Sequence, residues 1–223
     1  MQIKFEVEDP SVVDHFPVKP AKKVLPEWYK DLEMSRQIKM SQDTVPTIKH
    51  CIPVTDILTS GYIIENTYEI KLNPKIRETG GYTANHVECP KEGYIKEHHW
   101  EQCPVGNKTH WMKITQPWTV KTPPGYSCLF IQPFYQFQEW RLFPAIVDTD
   151  KHDVPVELPG YIPSGQEISI MPGTPLVQVI PFKRDEWTME MEVKPYSSKA
   201  WFHLAKIGDA FYRKFFHSKK SFN

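Results

Sequence analysis

From residue 46 onward the chain is a series of short runs in which apolar and polar residues alternate, broken by proline and glycine. A period of two places every second side chain on one face of a strand. Candidate strands are 47–57, 61–72, 111–121, 126–134, 142–148, 153–158, 166–171, 175–182 and 187–193. Trp111-Met-Lys-Ile-Thr and Trp187-Thr-Met-Glu-Met-Glu-Val193 alternate cleanly, and Tyr62 to Leu72 is rich in β-branched and aromatic residues, which suit a pleated surface. Many short strands punctuated by turn residues predict a mainly β fold: one β-sandwich or β-clip-like domain, not alternating strands and helices.

Three segments depart from that texture. Residues 1–45 open with a strand candidate, Ile3 to Val7, and then meet Pro10, Pro17, Pro20 and Pro26. Each proline fixes φ and removes a donor, so the segment reads as an irregular N-terminal arm. Pro26 can open a short helix there, and Trp28, Tyr29 and Leu32 supply its packing residues. Residues 73–110 hold few aliphatics and the pair Gly80-Gly81, which predicts a loop insertion within the 46–198 domain. Residues 199–223 form a C-terminal helix and tail. In it Trp201, Leu204, Ile207, Phe211 and Phe215 recur at spacings of three and four, the stripe of an amphipathic helix.

Composition narrows the function. A chain of 223 residues suits a single domain, and 27 basic residues balance 27 acidic ones. That neutrality gives no strong nucleic-acid signal, because coating phosphates favours a basic surface. No apolar run approaches the ~18 residues of a membrane span. The four cysteines, Cys51, Cys89, Cys103 and Cys128, are widely spaced, and Cys51 and Cys128 sit in strand-like apolar runs. Free, buried thiols in a reducing host cytoplasm are expected.

Two clusters carry candidate chemistry. His86-Val-Glu-Cys89 and His98-His99-Trp-Glu-Gln-Cys103 could present His86, Cys89, His99 and Cys103 to zinc, which takes roughly tetrahedral nitrogen and sulfur ligands. The alternative is an ordinary polar loop, and no cofactor is expected. The second cluster is Asp148-Thr-Asp150, at the end of an apolar run. Two carboxylates on one strand face can share a cation or act as acid and base. Equally, aspartate is common where a strand ends in a turn, because its side chain bonds the backbone. No hydrolase elbow, phosphate loop, dinucleotide fingerprint or zincin motif occurs.

The block from 119 to 184 is the most informative. Thr122-Pro-Pro-Gly-Tyr126 reads as a turn with Gly125 where φ must be positive. It is followed by Phe143-Pro-Ala-Ile-Val-Asp-Thr-Asp150 and by Gly173-Thr-Pro-Leu-Val-Gln-Val-Ile-Pro-Phe-Lys-Arg184. This order resembles the β-clip core of the dUTPase and dCTP deaminase group over about 65 residues. That likeness would put Asp148 at the catalytic aspartate and Gly173 to Val179 on the closing strand. The Thr-Pro-Pro-Gly-Tyr-Ser, Val-Asp-Thr-Asp and Gly-Thr-Pro-x-x-Gln-Val-Ile-Pro-Phe-Lys-Arg motifs also resemble, far more closely, an uncharacterised family encoded by tailed phages.

The departures from dUTPase matter. Gln132 to Phe143 replaces the group's Pro-Arg-Ser-Gly phosphate motif, and Lys151-His-Asp replaces the Tyr-Arg-Gly after the aspartates. Backbone phosphate binding needs glycine-permitted geometry, which this stretch lacks. In its place stand Phe134, Tyr135, Phe137, Trp140 and Arg141, which are either core or contact surface. Trp201, Phe211 and Phe215 carry the same choice between packing and docking. The absence of a complete catalytic set, beside aromatic-rich segments suited to interfaces, points with the phage resemblance to a non-catalytic phage protein, in the virion or acting as an assembly or host-directed factor. Its partners would be other proteins, phage proteins among them, and a second copy of itself. The rival expectation is a dUTPase-like protein that binds or hydrolyses nucleotides.

Overall fold

The computed structural model describes residues 1–38, 43–73, 86–97, 110–136, 138–162, 167–193 and 210–223. The arm holds β1 (Lys4–Glu6), α1 (Pro10–His15), β2 (Lys19–Pro20), α2 (Glu27–Asp31), β3 (Ser35–Gln37) and β4 (Thr44–Pro46). Then come α3 (Ile52–Thr59), β5 (Tyr62–Glu65), β6 (Ile70–Asn73), β7 (His86–Glu88), β8 (Ile95–Glu97), β9 (His110–Thr115) and β10 (Thr119–Lys121). The remaining strands are β11 (Tyr126–Ile131), β12 (Arg141–Leu142), β13 (Ala145–Val147), β14 (Glu157–Ile162), β15 (Ile168–Ile170) and β16 (Pro175–Lys183). The last helix described is α4 (Ala210–Phe215). The protein is mainly β, as its alternating pattern requires.

Two antiparallel sheets dominate, ordered β13-β11-β16-β5-β2 and β12-β14-β9-β8. Cys128, Phe130, Leu176, Val177, Val179 and Ile64 of the first join Met112, Ile114, Leu158, Ile162 and Leu142 of the second in one buried cluster. Alternation explains the choice: β14 buries Leu158, Gly160 and Ile162 while the residues between them stay half-exposed. Each large aliphatic so buried contributes about 1.5–3 kcal/mol, which makes this shared core the main source of stability. A three-stranded sheet β15-β6-β7 adds Ile70, Leu72, Ile168 and Ile170 to it.

The arm is woven into the sheets. β1 pairs with β10, β2 pairs with β5, and Val12 of α1 enters the core. Asp9 caps α1 by accepting from the Ser11 amide at 2.9 Å. Lys19 of β2 donates to the Glu65 carboxylate at 2.7 and 2.8 Å, fastening the arm to a buried acid on β5. Tyr29 is buried, with its hydroxyl 2.7 Å from Thr55 Oγ1, whereas Leu32 is half-buried and Trp28 lies at the surface. The C-terminal tail also returns: Lys220 and His217 bind Asp56 of α3 at 2.6 and 3.2 Å.

Five local expectations change. Residues 47–57 are not a strand but a 3-10 turn, Ile48–His50, followed by α3. Pro53 sits in the first turn of α3, where a fixed φ and a missing donor cost nothing. Cys51 consequently stands at the N-terminal boundary of a helix, without a side-chain capping bond, and is exposed, while Cys128 is buried in β11 as expected, its thiol pushed up to about 11 by burial. The strand expected at 153–158 begins only at 157 and continues through Pro159 and Gly160. In the 73–110 insertion, β7 pairs with β6 and β8 pairs with β9, so it feeds two sheets. Finally, among the described residues, 187–193 join no ladder.

Candidate functional site

Asp148 and Asp150 fall in the turn that ends β13, not along a strand. The amides of Lys151 and His152 both donate to the Asp148 carbonyl, at 2.9 and 3.0 Å, and this bends the chain. The partner strand of β13, β11, starts from the proline-glycine turn: the Tyr126 amide reaches the Pro123 carbonyl at 3.2 Å, with Gly125 at φ +84°. β16 runs antiparallel to β11 and ends at Lys183, which delivers Arg184 to the same corner. Its amide donates to the Gly125 carbonyl at 2.9 Å.

The corner is held together by its own side chains. Arg184 Nη1 donates to Asp150 Oδ1 at 2.8 Å, to Ser127 Oγ at 2.9 Å and to the Tyr126 carbonyl at 3.0 Å. Its Nη2 meets Asp150 Oδ2, which also accepts from the Gly125 amide at 2.9 Å. Asp148 Oδ1 accepts from Ser127 Oγ at 2.7 Å and stands 3.2 Å from Arg184 Nη1. Between the two acids Thr149 is fully buried, 2.7 Å from the Thr122 hydroxyl. The arginine fork on Asp150 is the bidentate geometry that guanidinium and carboxylate favour. It holds the Asp150 carboxyl far below the usual carboxylate range, helped by the Gly125 amide. The Ser127 hydroxyl, then Arg184, also lower Asp148. A carboxylate held ionised this way is a poor proton donor or acceptor near neutral pH. The arrangement clamps three stretches of chain, and both aspartates belong to the clamp. Ser127 is not singled out by pattern, although it stands inside the quoted turn motif.

A prediction follows from the lowered acid. Stability contributed by Asp150 is complete above the ordinary carboxylate pKa of about 3.9 and is lost as pH falls toward its lower folded value. Asp150→Asn is therefore expected to lower the melting temperature at pH 7, with the gap to the parent closing as pH drops below about 4. A gap of constant size across that range, followed by differential scanning fluorimetry, would contradict the clamp.

The aromatic residues separate into different roles. Trp140 is not contact surface: it is 1 % exposed, in the core, with its ring over Gly160. Phe134 is half-buried, and its amide donates to Gln178 Oε1 at 3.2 Å. Tyr135 is exposed in a left-handed conformation, φ +56°, its carbonyl accepting from Trp28 Nε1 of the arm at 2.9 Å. Arg141 is exposed on β12, and Phe215 is exposed on α4. Phe211 lies in α4, while Phe137 and Trp201 fall outside the described residues. Of the zinc candidates, His86 is on β7 and Cys89 is a free, half-buried thiol packed on the core. His99 and Cys103 lie outside the described residues. Among the described residues, no group of three His, Cys, Asp or Glu is placed to hold a metal ion.

Two surface features stand apart from these candidates. The first is a cleft of about 550 Å³ between the arm, the 91–94 turn and the 115–119 and 153–155 segments. Glu6, Glu8, Asp9, Glu92 and Asp153 line it along with Lys91, an acidic balance that repels phosphate. The second is the extended segment after Arg184, where Trp187, Met189, Met191 and Val193 are 88, 84, 85 and 99 % exposed. Alternation there signals a strand face, and its four apolar side chains stand almost wholly exposed.

No protein-family model matches the chain, and no curated protein matches it. No helix among the described residues is long and apolar enough to cross a membrane.

Proposed function

We propose that this is a non-catalytic binding or structural protein of a tailed phage, a virion component or an assembly or host-directed factor, that works through protein–protein contacts. The observation that carries this reading is the strip Trp187, Met189, Met191 and Val193, almost wholly exposed in a protein that buries its other alternating strands. Contiguous apolar surface of this kind is characteristic of interaction sites. The phage assignment rests on the resemblance of three motifs, Thr122 to Ser127, Val147 to Asp150 and Gly173 to Arg184, to those of the phage family. The carboxylate pair supports a structural role, since Arg184 and Ser127 engage both acids.

The test is particle association. In cells infected by the encoding phage, the doubly charged variant Met189→Glu with Met191→Glu is expected to keep its melting temperature, because neither side chain packs against the body. It is also expected to drop out of purified particles or assembly intermediates by about tenfold, as loss of interface anchors implies. Undiminished recovery by quantitative mass spectrometry would overturn the contact reading. The nucleotide rival predicts stabilisation of about 2.7 kcal/mol at a ligand concentration a hundredfold above the dissociation constant. The expected result across a panel of nucleoside mono-, di- and triphosphates is an unchanged melting temperature.

A further inference from the structure

We infer that the segment Trp187 to Val193 pairs with the same segment of a second copy as an antiparallel ribbon about a twofold axis through Glu190. This rests on the contact reading above and names its partner. The segment is extended, joins no ladder among the described residues, and bears its large apolar side chains at every second position. Its hydropathy pattern reads the same in both directions from Glu190: apolar, polar, apolar, Glu, apolar, polar, apolar. A twofold interface requires a surface complementary to itself, and such a palindrome supplies it. With the axis at Glu190, Trp187 faces Val193, Met189 faces Met191 and Thr188 faces Glu192, so all four apolar positions of each copy meet on one face. Moving the axis to Met189 sets Val193 against Asp185. An axis between residues sets every apolar side chain against a polar one, because side chains directly opposite share a face.

The four side chains, 88, 84, 85 and 99 % exposed in the single chain, meet as cross-strand neighbours on one face of the ribbon, the unit by which paired strands are stabilised. Strand addition also satisfies the backbone donors and acceptors that an unpaired strand leaves to water. The register has one unfavourable pair, Glu190 against its own copy, since like charges directly opposite destabilise a ladder.

Cross-linking of the full chain tests the register. Glu190→Cys places two thiols across the axis at directly opposed positions, where Cα atoms lie about 4.5–5.5 Å apart. It is expected to form a disulfide-linked dimer on mild oxidation at least about tenfold faster than Thr188→Cys, whose own copy stands several residues away. The parent chain, with its exposed Cys51, serves as the background. Sedimentation velocity should show a dimer for the parent, a monomer for Met189→Glu with Met191→Glu, and a dimer tightened about two- to fivefold by Glu190→Gln. A monomeric parent at about 100 µM, or equal cross-linking by the two cysteine variants, would overturn the inference. A monomer whose charged-strip variant still drops out of particles overturns the second-copy partner alone. A dimer whose charged-strip variant is retained in particles overturns the contact reading alone.

Discussion

Gly160→Ala is expected to cost about 3 kcal/mol or more, the upper end of what overpacking a core costs. Gly160 lies in the middle of β14, paired with Met112 on one side and Leu142 on the other. A Cβ built on it would lie 2.3 Å from Trp140 Cζ2, 2.6 Å from Trp140 Cε2 and 2.5 Å from the Arg141 carbonyl oxygen. Contacts under 3 Å cannot stand, so something has to move. The carbonyl belongs to β12, the partner strand, and the indole is 1 % exposed with no open side to swing toward. A double-mutant cycle isolates the ring's share. In a Trp140→Phe background the indole's second ring is gone, and the alanine penalty should shrink by about 1 kcal/mol. The remainder is the carbonyl clash, which no side-chain change relieves. Urea unfolding of the four proteins measures it, and additive effects within about 0.3 kcal/mol would sink the ring-contact account.

That pairing shows why the aromatic segment could not be resolved by pattern. Trp140 and Tyr135 stand in the same run of aromatics interleaved with glutamine and glutamate, yet one is core and the other surface. The difference is set by Gly160, twenty residues away in sequence, and by Trp28 of the arm, whose indole reaches the Tyr135 carbonyl. Local alternation carries no information about either. Where neighbours in sequence decide the outcome, the reading held: the Pro123–Tyr126 turn, the long strand β16, and the aspartates at a strand end. Where two local signals competed, it went wrong. Residues 52–59 are rich in β-branched side chains, but a proline in the first turn and apolar residues at 54, 57 and 58 make a helix whose Leu58 is buried.

The corner of Asp148, Asp150 and Arg184 illustrates the same boundary at the level of the site. Its three motifs were visible one at a time, and their chemistry depended on which of them met. Arg184 is 34 residues beyond Asp150, and β16 must pair with β11 before the guanidinium reaches the acids. Seen separately, the aspartates suggest a cation or proton-transfer site. With the guanidinium and Ser127 in place they form a clasp between the two ends of a strand pair. The strip after Arg184 is the converse case. Its periodicity was legible, but periodicity cannot tell whether the strand's partner lies in the same chain.

Asn66→Asp is expected to destabilise the protein by about 3–5 kcal/mol at pH 7 and to recover part of that loss in acid. Asn66 is fully buried between β5 and β6. Its Nδ2 donates to the carbonyls of Tyr68 at 2.6 Å, Ile170 at 3.0 Å and Met171 at 3.2 Å, while its Oδ1 accepts from the Tyr94 hydroxyl at 3.0 Å. Its own amide and carbonyl bond Thr174 and Gly173 at 2.8 Å, so one residue ties the end of β5 to the turn before β16. The substitution keeps the shape but turns the donor into an oxygen facing three carbonyls. Burial and that repulsion raise the folded-state pKa of the introduced carboxyl well above its unfolded value of about 3.9. Folding then takes up a proton, so the variant gains stability relative to the parent as pH falls through the raised value, until about 3.9. Asn66→Ala, which leaves the same carbonyls without a donor but cannot titrate, should lose a similar amount at pH 7 with no acid recovery. Urea unfolding at pH 7 and at about pH 4.5 separates the two. If the two variants keep a constant offset between those conditions, the three carbonyls do not share the Asn66 donor as described.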